Sequence, residues 1–201
     1  MVYHNLEGLV LASHSPRRRE LLGRMGIGFT VCGAAITELR QEGENYAAFS
    51  RRMALEKAAN VVESDHLKHS AWILAADTIV VCQGQVFGKP ADWQEAQLML
   101  SQLAGQWHQV LTAYTLLNRQ REIEITRLDR ARVKIMALSQ AMISAYVADG
   151  EPLDKAGAYA MQGLGGSFVE SVEGCPSTVI GLPMPLVCKD LLAQRVIAVN
   201  Y

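Results

Sequence analysis

The segment Ala71 to Cys82, AWILAADTIVVC, constrains this chain most, because it is apolar almost throughout yet carries one carboxylate, Asp77. Its branched residues and limited length predict a β-strand rather than a helix. A strand without a polar alternate face must be covered on both sides, which is the setting of an α/β sheet. A carboxylate inside such a strand has to be paired, metal-bound or neutral, since an isolated buried charge is costly. Asp77 then has two readings. It either accepts backbone N–H groups where the strand leaves the core, or it stands at the carboxyl end of an α/β strand, where ligands gather. We favour the second.

The surrounding pattern agrees with an α/β fold. Gly8 to Ala12 reads as a short strand, followed by a helix that Ser15 caps and Pro16 begins. Leu21, Leu22 and Met25 give that helix its apolar face, and Gly26 and Gly28 close it. Phe29 to Cys32 reads as a second strand. Asn45 to Ser64 is helical in period, with Phe49, Met53, Leu55, Ala58 and Val62 on one side. After Cys82, Gln83-Gly84-Gln85 predicts a tight turn back into Val86-Phe87. Asp92 to Leu103 is a capped helix ended by Gly105. Gln109 to Leu117 and Ile123 to Ile135 read as two longer, more exposed antiparallel strands. Ser139 caps a helix through Val147, Phe168 to Val172 is a strand, and Pro185 to Gln194 is the last helix. Strands and helices in this mixed order predict one α/β domain over residues 1–201, with a mixed sheet and no linker.

Charge and composition narrow the function. Half of the residues are hydrophobic and 19% are charged, which excludes a disordered chain. Nineteen basic residues against twenty acidic ones leave a net charge of −1, which argues against a binder of nucleic-acid polymers. Cys32, Cys82, Cys175 and Cys188 lack CxxC spacing and read as buried thiols of a reducing cytoplasm. No stretch approaches the roughly 18 apolar residues of a membrane span. His4, His14, His66, His69 and His108 lack HExxH spacing, and no GxSxG elbow occurs, so a hydrolase triad has no support.

Ser13-His14-Ser15-Pro16-Arg17-Arg18-Arg19 is the clearest binding candidate. It lies where a strand meets a helix N-terminus, whose unpaired N–H groups and partial positive charge attract anions. Arginines in a first turn oppose the helix dipole, so a merely solvated basic turn explains them poorly. Lys89, in Gly88-Lys89-Pro90, follows soon after Asp77 but is ordinary loop chemistry by itself. Glu56-Lys57 reads as an exposed charged pair on its helix, and Glu38 as a solvated loop residue or a metal ligand. In Asp154 to Gly163 the glycines permit close approach of a ligand, and Gln162 offers both a donor and an acceptor. A glycine-rich connection is an equal reading of that segment.

In their order and spacing, LASHSPRRRELL (Leu11 to Leu22), LEKA (Leu55 to Ala58), AADTIV (Ala75 to Val80), GKP (Gly88 to Pro90), EPLDKAGAYAMQG (Glu151 to Gly163) and VIGLP (Val179 to Pro183) resemble the Maf family of nucleoside triphosphate pyrophosphatases. The resemblance covers nearly the whole chain. It implies an α/β fold with a mixed twisted sheet and flanking helices, two lobes around a cleft as in inosine triphosphate pyrophosphatase, and a homodimer. It also implies hydrolysis of a nucleoside triphosphate to monophosphate and pyrophosphate with Mg²⁺ or Mn²⁺. On this resemblance Asp77 is the catalytic base, the metal ligand or both. Ser13, Arg18, Lys57 and Lys89 hold phosphates, and Glu38 lies near the metal. Arg17, Thr78 and Gln162 match the dTTP/UTP branch rather than the 7-methyl-GTP branch. A non-catalytic nucleotide-binding regulator of cell division and a pyrophosphatase for modified purine nucleotides are the alternatives.

Overall fold

A computed structural model describes residues 2–62 and 72–200. Its strands and helices run, in chain order, β1 (Tyr3–Asn5), β2 (Leu9–Leu11), α1 (Pro16–Gly23), β3 (Thr30–Val31), α2 (Tyr46–Val62) and β4 (Trp72–Cys82). Next come β5 (Gln85–Phe87), α3 (Trp93–Leu103), β6 (Trp107–Asn118), β7 (Ile123–Ile135) and α4 (Gln140–Asp149). The chain closes with β8 (Val169–Glu173), α5 (Pro176–Ile180), α6 (Met184–Ala193) and β9 (Ile197–Val199). The predicted limits Ser64 and Ala71, with His66 and His69, lie outside the described residues.

The main sheet has seven strands in the order β3-β2-β4-β6-β7-β8, with β5 paired to β4. β2 pairs in parallel with both β3 and β4, so the predicted α/β class with a mixed sheet holds. Two compact units divide the chain. One comprises Met1–Asp77, Thr112–Asp129 and Gly181–Tyr201, the other Thr78–Leu111 and Arg130–Ile180. None of the helices among the described residues is long and apolar enough to cross a membrane.

In the first unit the core forms where α2 covers the sheet. Phe49, Met53, Ala58 and Val61 recur at helical spacing and are buried. Ala58 and Val61 pack with Val10, Ile73 and Ala75. Side chains at i, i+2 and i+4 of a strand share a face, so the row Ile73-Ala75 continues into Asp77 on the face that α2 covers. A second buried acid, Asp190 of α6, is fully engaged: Arg127 donates to it at 2.6 and 2.9 Å and Tyr114 at 2.5 Å.

The second unit has its own core, including Val80, Phe87, Leu100, Val133 and Tyr146. β4 turns into β5 through Gln83 and Gly84, both at positive φ, the backbone that a two-residue hairpin requires. Asp92 caps α3 by accepting the Glu95 N–H at 2.8 Å, while Glu95 accepts the Ala91 N–H at 2.6 Å. Ser139 caps α4, and Gly150 ends it in the left-handed conformation.

Two expectations change. β6 is buried along nearly its whole length rather than exposed, whereas β7 alternates. Its four-residue link to β7 fits the antiparallel pairing, because a parallel crossover needs a dozen residues or more. Of the cysteines only Cys82 is buried. Cys32, Cys175 and Cys188 are half-buried free thiols.

His108 is 2% exposed, with Nε2 2.8 Å from the Tyr159 hydroxyl, and Nδ1 has no partner among the described residues. Burial pushes its pKa down to about 4, from an ordinary value of 6.5. Between these values the unfolded chain binds more protons than the folded one, so stability falls as pH drops through that window. We expect urea unfolding at pH 4.5 to show a deficit relative to pH 7. On the order of 2 kcal/mol of it should vanish in His108→Gln, which keeps a partner for Tyr159. An equal deficit in the variant would assign the acid sensitivity elsewhere.

Candidate active site

The N-terminus of α1 is built as the sequence predicts. Ser15 Oγ accepts the Arg18 N–H at 3.5 Å, and Ser13 Oγ accepts the Ser15 N–H at 3.2 Å. Arg18 folds back over this end. Its NH1 lies 3.4 Å from Ser13 Oγ, and its Nε donates to the Gly181 carbonyl at 2.8 Å. Burial pulls the Arg18 guanidinium below the ordinary arginine value, against support from Asp77. Arginine nonetheless stays a cation at neutral pH. A half-buried cation beside a helix N-terminus gains from an anionic ligand. Arg17 adds a second, half-buried guanidinium on the same turn.

Asp77 is the centre of a second group. It is 3% exposed, and its Oδ1 lies 2.7 Å from Lys57 Nζ. The same ammonium lies 2.7 Å from Glu38 Oε1. Ser50, fully buried on α2, donates to the Asp77 backbone carbonyl at 3.3 Å. Asp77 Oδ2 is buried without a hydrogen-bond partner among the described residues. An unsatisfied buried acceptor costs roughly 1–3 kcal/mol, and a buried ion pair is itself a weak stabiliser. A purely structural role therefore explains Asp77 poorly, and its carboxylate is engaged by an ammonium rather than by backbone N–H groups.

Two readings of this region need correction. Lys57 is not half of an exposed pair with Glu56, because its side chain is 11% exposed and bridges two carboxylates. Glu56 instead pairs with Arg52 at 2.9 Å. Asp77 does not end its strand, since β4 runs on to Cys82. The parallel pairing with β2 stops at Leu74, however, so Asp77 still lies beyond the end of the parallel ladder.

Glu38 is held near Lys57 by a clamp that the sequence does not reveal. Arg52 donates to the Leu39 carbonyl at 2.9 Å and to both oxygens of Glu44 at 2.8 and 2.7 Å. Hydrogen bonds from Arg52 hold the Glu44 carboxyl down at about 2.

Ser13, Arg18, Glu38, Lys57 and Asp77 all lie in the first unit and are joined by these contacts and by the Arg18–Asp77 attraction. Thr78, Lys89 and Gln162 belong to the second unit. There Thr78 is half-buried in β4, and Lys89 and Gln162 are exposed. Gly88 accepts the Gly157 N–H at 3.0 Å, which ties the GKP turn to the segment leading to Gln162.

The match that decides the lineage spans residues 8–194, which fit the family model described as Maf-like protein. The chain belongs to the Maf family. It is 51% identical over 176 residues to the dTTP/UTP pyrophosphatase of Myxococcus xanthus, covering 88% of this chain and 87% of that one. It is 45% identical to the dTTP/UTP pyrophosphatase of Hahella chejuensis over the same shares of the two chains. Against that of Gloeobacter violaceus it is 45% identical over 92% of this chain and 95% of the relative. The matched span of this Maf protein includes Ser13, Glu38, Lys57, Asp77 and the Gly181 carbonyl that holds Arg18.

The donor set can be tested against a divalent cation. Among the described residues no group of three His, Cys, Asp or Glu converges. Glu38 and Asp77 do converge on one ammonium, and Asp77 keeps one oxygen without a partner. Mg²⁺ is commonly held by one or two carboxylates together with substrate phosphates, and this pair fits that pattern.

Proposed function

We propose that this protein hydrolyses dTTP and UTP to the nucleoside monophosphate and pyrophosphate, with water attacking the α-phosphorus. The observation that carries this reading is the unpartnered, buried oxygen of Asp77 in the same unit as a helix end suited to phosphate. The names of the relatives support the substrate. A protein that only binds nucleotides has no need of such an oxygen.

In this reading Asp77 accepts the proton of the attacking water through Oδ2, while Lys57 fixes the carboxylate through Oδ1. A positioned base of this kind contributes typically 10²- to 10⁴-fold. The new bond joins the water oxygen to the α-phosphorus. The bond from that phosphorus to the bridging oxygen breaks, and pyrophosphate leaves with the electron pair. Ser13, Arg18, Lys57 and Lys89 hold the phosphates, and the three cations offset the charge that grows on the leaving group. Mg²⁺ or Mn²⁺ bound by Glu38 and Asp77 would supply further charge neutralisation at the phosphate oxygens. The reading includes a cytoplasmic homodimer that binds neither a nucleic-acid polymer nor a membrane.

Base choice is assigned to Arg17, Thr78 and Gln162. Thymine and uracil present carbonyl acceptors and one imide N–H, which the Gln162 amide can satisfy. The positive ring of 7-methylguanine instead favours a carboxylate and an aromatic face. A panel of nucleoside triphosphates with Mg²⁺ or Mn²⁺, scored for pyrophosphate against orthophosphate, tests the activity. In the same panel the triple variant Arg17→Trp, Thr78→Gln, Gln162→Glu should shift kcat/KM towards 7-methyl-GTP by at least about tenfold. A folded triple variant with an unchanged ratio would remove these positions from base selection.

A further inference from the structure

The turn that carries Gln162 is fixed from eleven residues upstream. Glu151 Oε2 accepts the Leu164 N–H at 2.8 Å, and Oε1 accepts the Gly165 N–H at 3.1 Å and the Tyr146 hydroxyl at 2.8 Å. Lys155 Nζ donates to the Glu151 backbone carbonyl at 2.7 Å. These groups approach so closely that a side chain at Gly163 or Gly165 would have to displace them. A Cβ at Gly163 would sit 2.2 Å from Glu151 Oε2, and one at Gly165 would sit 2.4 Å from the Tyr146 hydroxyl oxygen. Tyr146 is buried on α4 and packs edge-on against Phe168, with ring centroids 5.0 Å apart. Burial alone would raise the Glu151 carboxyl, but the Gly165 N–H, the Tyr146 hydroxyl and the Leu164 N–H hold it below the usual carboxylate value.

The backbone of the turn is thus bound on one side, while Gln162 is exposed and its amide makes no hydrogen bond among the described residues. A carboxylate that takes two backbone N–H groups sets the path of the chain between them and the residues just before them. A base-reading amide is selective only if its orientation is fixed in advance, because freedom at the amide lets it meet the wrong base equally well.

We propose that Glu151, supported by Tyr146, is a positioning residue that fixes how the Gln162 amide is presented to the pyrimidine and so sets nucleotide preference. This rests on the reading that Gln162 contacts the base. Steady-state kinetics with dTTP and dATP test it in wild type, Glu151→Gln, Tyr146→Phe, Gln162→Ala and the double variant Glu151→Gln, Gln162→Ala. Tyr146→Phe removes one of three bonds to the carboxylate and guards against a fold too damaged to assay. We expect Gln162→Ala, Glu151→Gln and Tyr146→Phe each to lower the dTTP/dATP ratio of kcat/KM. The loss should reach about tenfold for Glu151→Gln and act mainly through the dTTP KM. The double variant should then discriminate no worse than Gln162→Ala. A merely structural role would instead lower kcat for both nucleotides alike and add to Gln162→Ala, which would overturn the proposal. A ratio that moves in Gln162→Ala but in neither Glu151→Gln nor Tyr146→Phe would also overturn it, leaving the base reading intact. An unchanged ratio in Gln162→Ala would overturn the base reading and the proposal with it.

Discussion

Asp77→Asn should yield a folded protein that binds dTTP and turns it over at less than about one-hundredth of the wild-type kcat. Asparagine keeps the shape of the side chain but cannot take up a proton from water. Its neutrality also removes a buried negative charge near bound phosphates, so nucleotide affinity should hold or rise. Single-turnover kinetics at saturating metal, with equilibrium binding of dTTP, separate the two effects. Retention of a tenth or more of kcat would take the proton-acceptor role away from Asp77.

Lys57→Met should be nearly as damaging, for a different reason. The Nζ lies 2.7 Å from both Asp77 Oδ1 and Glu38 Oε1, so its removal leaves two carboxylates on one site without the cation between them. Truncating one partner of a buried pair typically costs about 3–5 kcal/mol, chiefly through the charge left behind. We expect a lower melting temperature and a loss of kcat/KM of at least about a hundredfold. A metal titration distinguishes the contributions. Part of the stability should return with divalent cation, which can replace the ammonium between the carboxylates, whereas activity should not, because the proposed phosphate contact is lost. A variant with wild-type melting and kinetics would show that Lys57 neither orders Asp77 nor meets substrate.

The elements that local chemistry specifies were legible in the sequence. Ser15 followed by Pro16 fixes the start of α1, Asp92 fixes the start of α3, and Gln83-Gly84 fixes the hairpin between β4 and β5. The apolar run around Asp77 likewise announces a covered strand, and the burial of its carboxylate follows from that. What the sequence hides is set by partners far along the chain. Lys57 looks like half of an exposed pair because helical spacing says nothing about the strand that α2 covers. Its true partners are 19 residues before it and 20 after it. The hold of the Gly181 carbonyl on Arg18 spans 163 residues and uses a backbone atom, which no residue type advertises. β1 and β9 are three residues each and pair across the whole chain, too short for a periodic signal. The Arg52 clamp on Glu44 and Leu39 is similar, since its charges read locally as a solvated helix face.

The position of water attack is the most direct test of the proposed reaction. Hydrolysis of dTTP in ¹⁸O-labelled water, with products resolved by mass spectrometry, should place one labelled oxygen in the nucleoside monophosphate and none in pyrophosphate. That outcome requires attack at the α-phosphorus with pyrophosphate departing as a unit. Label in pyrophosphate, or release of orthophosphate with nucleoside diphosphate, would contradict it.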